Sequence, residues 1–226
     1  MVDRSDSSFQ VQTTGPAGEK PHHRPYHHGN LHDALINAGI ALLKERGPHK
    51  FSLRELSERV GVTRTAPAHH FGDRNGLLAA IAASGYQQLV GLRAKRMSKA
   101  NDGNWERLVV AAASYVEFAI TEPEIFTLMF STIIADRDRY PELVLAQRSA
   151  FYGLASYVEE MFAGQADADS VNTAAYGLWS LMHGISTLKI NQPGAPSTIK
   201  NIPVDKLSRQ LAEMFLTGLQ ATLLDA

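Results

Sequence analysis

FSLRELSERVGVTRTAPAHHF, residues 51–71, is the stretch that decides how this chain folds. It reads as two short helices joined by a tight turn. Ser52 is placed to cap the first helix, and Glu55 three positions later completes a capping box. Leu53, Leu56 and Val60 then fall on one helical face. Gly61 follows, where a helix end takes a residue tolerant of positive φ. Thr63 can cap a second helix starting at Arg64. Helix, glycine turn, helix, with a basic and hydroxylated second N-terminus, is the arrangement that offers side chains to the major groove of DNA.

The flanks continue in helices. Leu31, Leu35, Ala38 and Leu42 form one stripe over residues 31–46, with Asn30 as a plausible N-cap and Gly47-Pro48 as the stop. Asp73 is placed to cap a fourth helix running to about Met97. A turn cluster at residues 101–104 precedes a helix over residues 105–120, in which Leu108, Ala112, Tyr115 and Ala119 are in register. Pro123 interrupts, and residues 125–134 give a short helix. Pro141 opens another to about Phe162, and a nearly apolar one spans residues 171–190. Residues 191–202 read as a loop, and Pro203 sits as the first residue of a last helix reaching Leu224. The expected fold class is all-α, with roughly nine helices.

The 226 residues suffice for one or two small domains, and a hydrophobic content of 44% places the chain among globular proteins. The absence of cysteine excludes disulfides, cysteine nucleophiles and cysteine-type zinc sites, and is compatible with a cytoplasmic setting. No apolar run approaches a membrane span, so no membrane partner is expected. The start, MVDRSDSSFQVQTTGPAGEKP, has no apolar signal core, and residues 1–25 are expected to be a disordered tail. The net charge of −1 hides an asymmetry: residues 20–74 hold nine basic and five acidic residues, so +4 there leaves −5 elsewhere. A basic end on an acidic body suits a DNA reader joined to something else.

The same residues carry a family resemblance. HGNLHDALINAGIALLKERG, SLRELSERVGVTRTA and HHFGDRNGLL, within residues 28–78, resemble the N-terminal domain of TetR-type transcriptional regulators. LWSLMHG, residues 178–184, is similar to the Trp-His-Gly signature in the C-terminal domain of one TetR subgroup. The resemblance implies a three-helix DNA-binding domain over residues 26–76. A helical effector-binding and dimerisation domain would follow over residues 77–226.

The expected DNA-contacting residues are Ser52, Thr63, Arg64, Thr65, His69 and Arg74. Arg64 can reach guanine O6 and N7 bidentately, and Thr65 can meet a base edge or a phosphate. Ser52 and Thr63 could cap a helix and bind phosphate at once. By resemblance, His69 faces the DNA backbone and His70 belongs to a His-Phe pair that packs the domain. Arg74 replaces the family's usual Lys and should still pair with phosphate. Ala68 replaces a family Tyr that contacts phosphate, so one anchor should be missing. Pro67, at about the fourth helical position, threatens the turn after it, and Gly76 should weaken the fourth helix by roughly 1 kcal/mol. Arg24 in the tail could add a minor-groove contact.

The second half has no GxSxG, no HExxH and no phosphate-cradling glycine loop. It has aromatics on helices. Tyr115, Phe118, Phe130, Phe151, Trp179 and His183 are the expected lining of an apolar ligand pocket, although each also suits a plain core. Trp179 and His183 are four apart and share a face, and His183 can equally be a satisfied core histidine. Gly177, Leu181, Gly184 and Leu188 form one stripe; Leu207, Leu211 and Phe215 form another. By resemblance, the last two helices make a four-helix dimer interface with their symmetry mates. Both stripes could instead be spent inside one subunit.

The expected protein is a homodimeric regulator, more a repressor than an activator, that binds a palindromic operator and is released by a small apolar or aromatic effector. No cofactor, metal or enzymatic activity is expected. One alternative is a ligand-blind structural DNA-binding protein. An enzyme built on His183, or on metal held by His22, His23, His27 and His28, is another.

Overall fold

A computed structural model describes residues 28–50, 52–99, 103–162, 164–191 and 202–224. Among these residues are nine α-helices, one 3₁₀ turn at Arg137–Arg139 and no strand. The expected tail, Arg24, His22, His23, His27, the His28 side chain and most of the 191–202 loop lie outside the described residues. None of the described helices is long and apolar enough to cross a membrane.

The first three helices are α1 (His28–Arg46), α2 (Leu53–Val60) and α3 (Ala66–Phe71). Helix α1 begins before Asn30, which is therefore inside its first turn and not its cap. Ser52 does cap α2, its Oγ accepting from the Glu55 amide at 3.2 Å. The reciprocal half of the expected box is diverted, because the Glu55 carboxylate pairs with Arg46 at 2.8 Å and ties α2 back to α1. Arg59 holds Glu45 bidentately at 2.7 and 2.6 Å across the same pair of helices. Gly61 ends α2 in the left-handed region, at φ 74° and ψ 36°. The Gly61 and Val62 amides both reach the Ser57 carbonyl at 3.0 Å, which closes the helix end with a left-handed cap.

Helix α3 starts two residues later than the sequence suggests. Thr65, not Thr63, is its N-cap, and Thr65 makes no side-chain cap bond. The Thr63 hydroxyl meets the Thr65 hydroxyl at 3.3 Å, while its carbonyl closes a turn with the Ala66 amide at 3.1 Å. Pro67 is consequently in the first turn, where no amide needs a helical partner, and its ring is buried.

Helix α4 (Arg74–Met97) runs from the three-helix head into the body. Asp73 caps it, its carboxylate accepting from the Gly76 amide at 2.8 Å. Gly76 is more than a weak helix former: a Cβ there would collide with the Phe71 carbonyl, so α3 and α4 meet backbone to backbone. Lys44 on α1 reaches Glu122 at 2.6 Å and makes a second tie between head and body.

The body contains α5 (Asn104–Thr121), α6 (Pro123–Phe130), α7 (Pro141–Phe162), α8 (Ala168–Asn191) and α9 (Val204–Leu224). Pro123 separates α5 from α6 as expected and is itself the first residue of α6, two residues earlier than the sequence suggests; Ser131 turns to extended backbone, so α6 stops before residue 134. Pro203 stands just outside α9 and lends its carbonyl to the Leu207 amide at 2.9 Å. Helix α5 is apolar nearly all round because it is the axis: Leu108, Val109, Ala112, Val116 and Ala119 are buried among α4, α7, α8 and α9.

Candidate DNA-reading surface and ligand cavity

Thr63, Arg64 and Thr65 in the α2–α3 turn and His69 on α3 are all exposed. Ser52 is exposed at the start of α2, with its hydroxyl engaged as a cap. Arg74 begins α4 and is half-buried. His70 faces inward, its ring 5.8 Å from that of His32 on α1, and Phe71 lies 5.1 Å from His32. The His-Phe pair thus closes α3 on α1. Ala68 is exposed, in a position from which a longer side chain would project outward.

In the body, a cavity of about 230 Å³ lies between α4, α5, α7 and α8. Tyr115, Phe130, Phe151 and Trp179, expected from the sequence, line it. Phe118 does not: it is 2% exposed and packs in the hydrophobic core. His183 does not line it either. It stands behind Tyr115, its Nδ1 3.0 Å from the Tyr115 hydroxyl.

That hydroxyl is the centre of a short chain. Trp179 Nε1–H donates to Tyr115 Oη at 3.1 Å, and the same hydroxyl shares a hydrogen bond with His183 Nδ1 at 3.0 Å. Burial holds His183 below its ordinary value of 6.5. Burial also pushes the Tyr115 hydroxyl up, against the opposing bond from Trp179. Phe130 and Phe126 enclose the His183 ring at 4.6 and 5.4 Å between centroids.

Sequence reasoning missed the wall supplied by α4. Tyr86, Leu89 and Arg93 line the cavity from that helix. Their spacing of three and four is the signal that could have found them, a helical face ending in a cation. Burial pushes the Tyr86 hydroxyl up to about 12, and it donates to the Met129 carbonyl at 3.3 Å.

The two stripes divide. A Cβ on Gly177 would come within 2.8 Å of the Phe215 ring, so that part of the α8 stripe is occupied by α9 of the same subunit. Gly184 has open space where its side chain would be. Leu188, Tyr176 and Met214 are 52, 59 and 70% exposed. Leu181, Leu207 and Leu211 are partly buried beside them. Among the described residues, no group of three or more His, Asp or Glu is placed to hold a metal.

Two family matches cover both halves. Residues 35–81 match the family described as bacterial regulatory proteins, tetR family. Residues 108–214 match the tetracyclin repressor-like C-terminal domain. The HTH-type transcriptional regulator BetI of Escherichia coli O127:H6 is 24% identical over 186 residues, spanning 81% of this chain and 90% of that protein. A solved protein of unknown function from Rhodococcus sp. RHA1 is 28% identical, with a TM-score of 0.70 over 87% of this chain and 98% of its own. The TetR-family regulator PfmR of Thermus thermophilus shares the fold at 16% identity, with a TM-score of 0.58 over 81% and 97% of the two chains.

Proposed function

This chain belongs to the TetR family of DNA-binding transcriptional regulators, which are not enzymes, and from that premise we propose that it is a cytoplasmic homodimeric repressor released by a small effector. One observation carries the ligand response. Helix α4 is shared by both functions: its first turn is locked to α3 at Gly76, and its middle turns wall the cavity with Tyr86 and Leu89. A ligand that shifts α4 must shift the reading head with it. The ligand must also favour the DNA-free state, since equal affinity for both states moves nothing.

The DNA side of this reading rests on Arg64 and Thr65 at the base edges. Ser52, Thr63, His69 and Arg74 take the phosphates. The dimer would form through Gly184, Leu188, Leu181, Leu207 and Leu211, beside the exposed Tyr176 and Met214. Gly177 and Phe215 would support it from inside the subunit. Two such heads read a palindrome. The Trp-His-Gly segment, assigned by resemblance to one subgroup, supplies Trp179 at the cavity and His183 behind it.

Selection of bound fragments from random DNA tests the function. An enriched palindrome, displaced by apolar compounds that need the cavity, is expected. Salt-dependent binding with no enriched sequence would replace this reading with a structural DNA-binding protein.

A further inference from the structure

Arg93 is a cation in an unusual place. It is 8% exposed and stands on the cavity wall. Its Nη1 donates to the Ala150 carbonyl at 3.2 Å, and its guanidinium lies 5.5 Å from the Tyr157 ring centroid. The group fits there because residue 153 is glycine: a Cβ would collide with Arg93 Nη2. Among the described residues it has no carboxylate partner. Arg107, over the other side of the same tyrosine, contrasts with it by pairing with Glu160 at 2.7 Å.

Arginine is rarely buried unpaired, because a desolvated charge without a counter-charge is costly. Burial lowers the basicity of Arg93, yet a guanidinium stays protonated. The rest of the wall adds Arg148 and no aspartate or glutamate. The other part of the wall is aromatic, and its buried hydroxyls are already engaged, that of Tyr115 by Trp179 and His183 and that of Tyr86 by the Met129 carbonyl. The cavity is therefore polarised, with positive charge on one side and apolar surface on the other.

We propose that the effector is an amphipathic monocarboxylate, whose carboxylate Arg93 receives and whose compact apolar body lies against Phe130, Phe151 and Trp179. This rests on reading the cavity as the effector site. A planar guanidinium offers paired donors to a carboxylate, and a buried pair of this kind is among the stronger hydrogen-bonded contacts. The volume of about 230 Å³ exceeds the roughly 150 Å³ that suffices for benzene, so one ring with a short acid chain fits. A carboxylate on Arg93 competes with the Ala150 carbonyl of α7, and so acts on the hold that α7 has on α4.

Calorimetric titration with octanoate and phenylbutyrate, with their primary amides, and with hexyltrimethylammonium tests this. In the wild type, the acids are expected to bind on the order of tenfold or more tighter than the amides. Arg93→Gln should erase that difference, and Gly153→Ala, which displaces the guanidinium, should reduce it if Arg93→Gln does not fold. Leu154→Trp, which fills the cavity, should block every probe. Amides that bind as tightly as acids, or an ammonium that binds best, would overturn the carboxylate assignment while leaving the cavity as effector site. Binding that Leu154→Trp leaves unchanged, or no binding by any probe, would remove both.

Discussion

The carbonyl oxygen of Phe71 occupies the space that a Cβ on Gly76 would need. The end of α3 and the start of α4 are thereby in direct backbone contact. Gly76→Ala forces them apart, and overpacking of this kind costs about 1–3 kcal/mol. The strain falls at the junction, so operator affinity should drop more than the melting temperature of the body. A variant that binds operator normally would show that the junction does not carry the signal.

Arg64 stands exposed at the turn before α3. If it reads a guanine, Arg64→Ala should cost about 1–3 kcal/mol and relax preference at one position per half-site. Arg74→Ala, by contrast, should weaken all sequences alike and lower the salt slope by about one per subunit. Ala68→Tyr, on the outer face, should tighten binding by adding a phosphate contact. Titration against operator and scrambled DNA over a range of salt separates the three.

The two glycines of α8 should behave differently. Gly184 faces open space within the subunit, so Gly184→Leu should leave a folded protein that sediments as a monomer and binds operator poorly. Gly177→Leu meets the Phe215 ring and should instead lower the stability of the subunit itself. A wild-type protein that is monomeric at micromolar concentration contradicts the dimer outright.

His183 predicts a pH dependence. Its folded-state pKa lies below the ordinary 6.5, so the unfolded chain binds the proton more readily. Its contribution to stability is complete above about 6.5 and is lost as pH falls through that value towards the folded-state pKa. Denaturant titrations between pH 7 and 5 should show stability declining, and His183→Gln should flatten the decline. Tyr115→Phe should cost about 1–3 kcal/mol at any pH in this range, because it strands Trp179 Nε1 and His183 Nδ1 together. An unchanged pH slope in His183→Gln would detach the histidine from this chain of bonds.

Local devices were legible in the sequence. Ser52, Gly61 and Asp73 act within three or four residues of themselves, so their roles follow from adjacent residues, and the structure has each in its expected place. Proline was less informative: Pro67 is the second residue of its helix and not the fourth, Pro123 opens a helix expected to start at residue 125, and Pro203 stands just before the helix it was expected to open. The cavity was legible only in part. Tyr115, Phe130, Phe151 and Trp179 were assigned by residue type, but a wall needs helices brought from far apart. His183 shares a face with Trp179, yet whether it meets the cavity is decided by Tyr115, 68 residues away. Phe118 is three residues from Tyr115 and turns to the core. Arg93 was invisible for the same reason: a cation on a helix reads as solvated until the neighbouring helix is known.

Trp179 has one more consequence. The chain contains two tryptophans, and only Trp179 stands on the cavity wall, its indole N–H tied to Tyr115. The protein thus carries its own optical reporter. Displacing water from beside that indole should shift its emission to the blue, while Trp105, at the first turn of α5, supplies a constant background. Occupancy can be followed in the unlabelled protein, and Trp105→Phe leaves a single emitter whose signal belongs to the cavity alone.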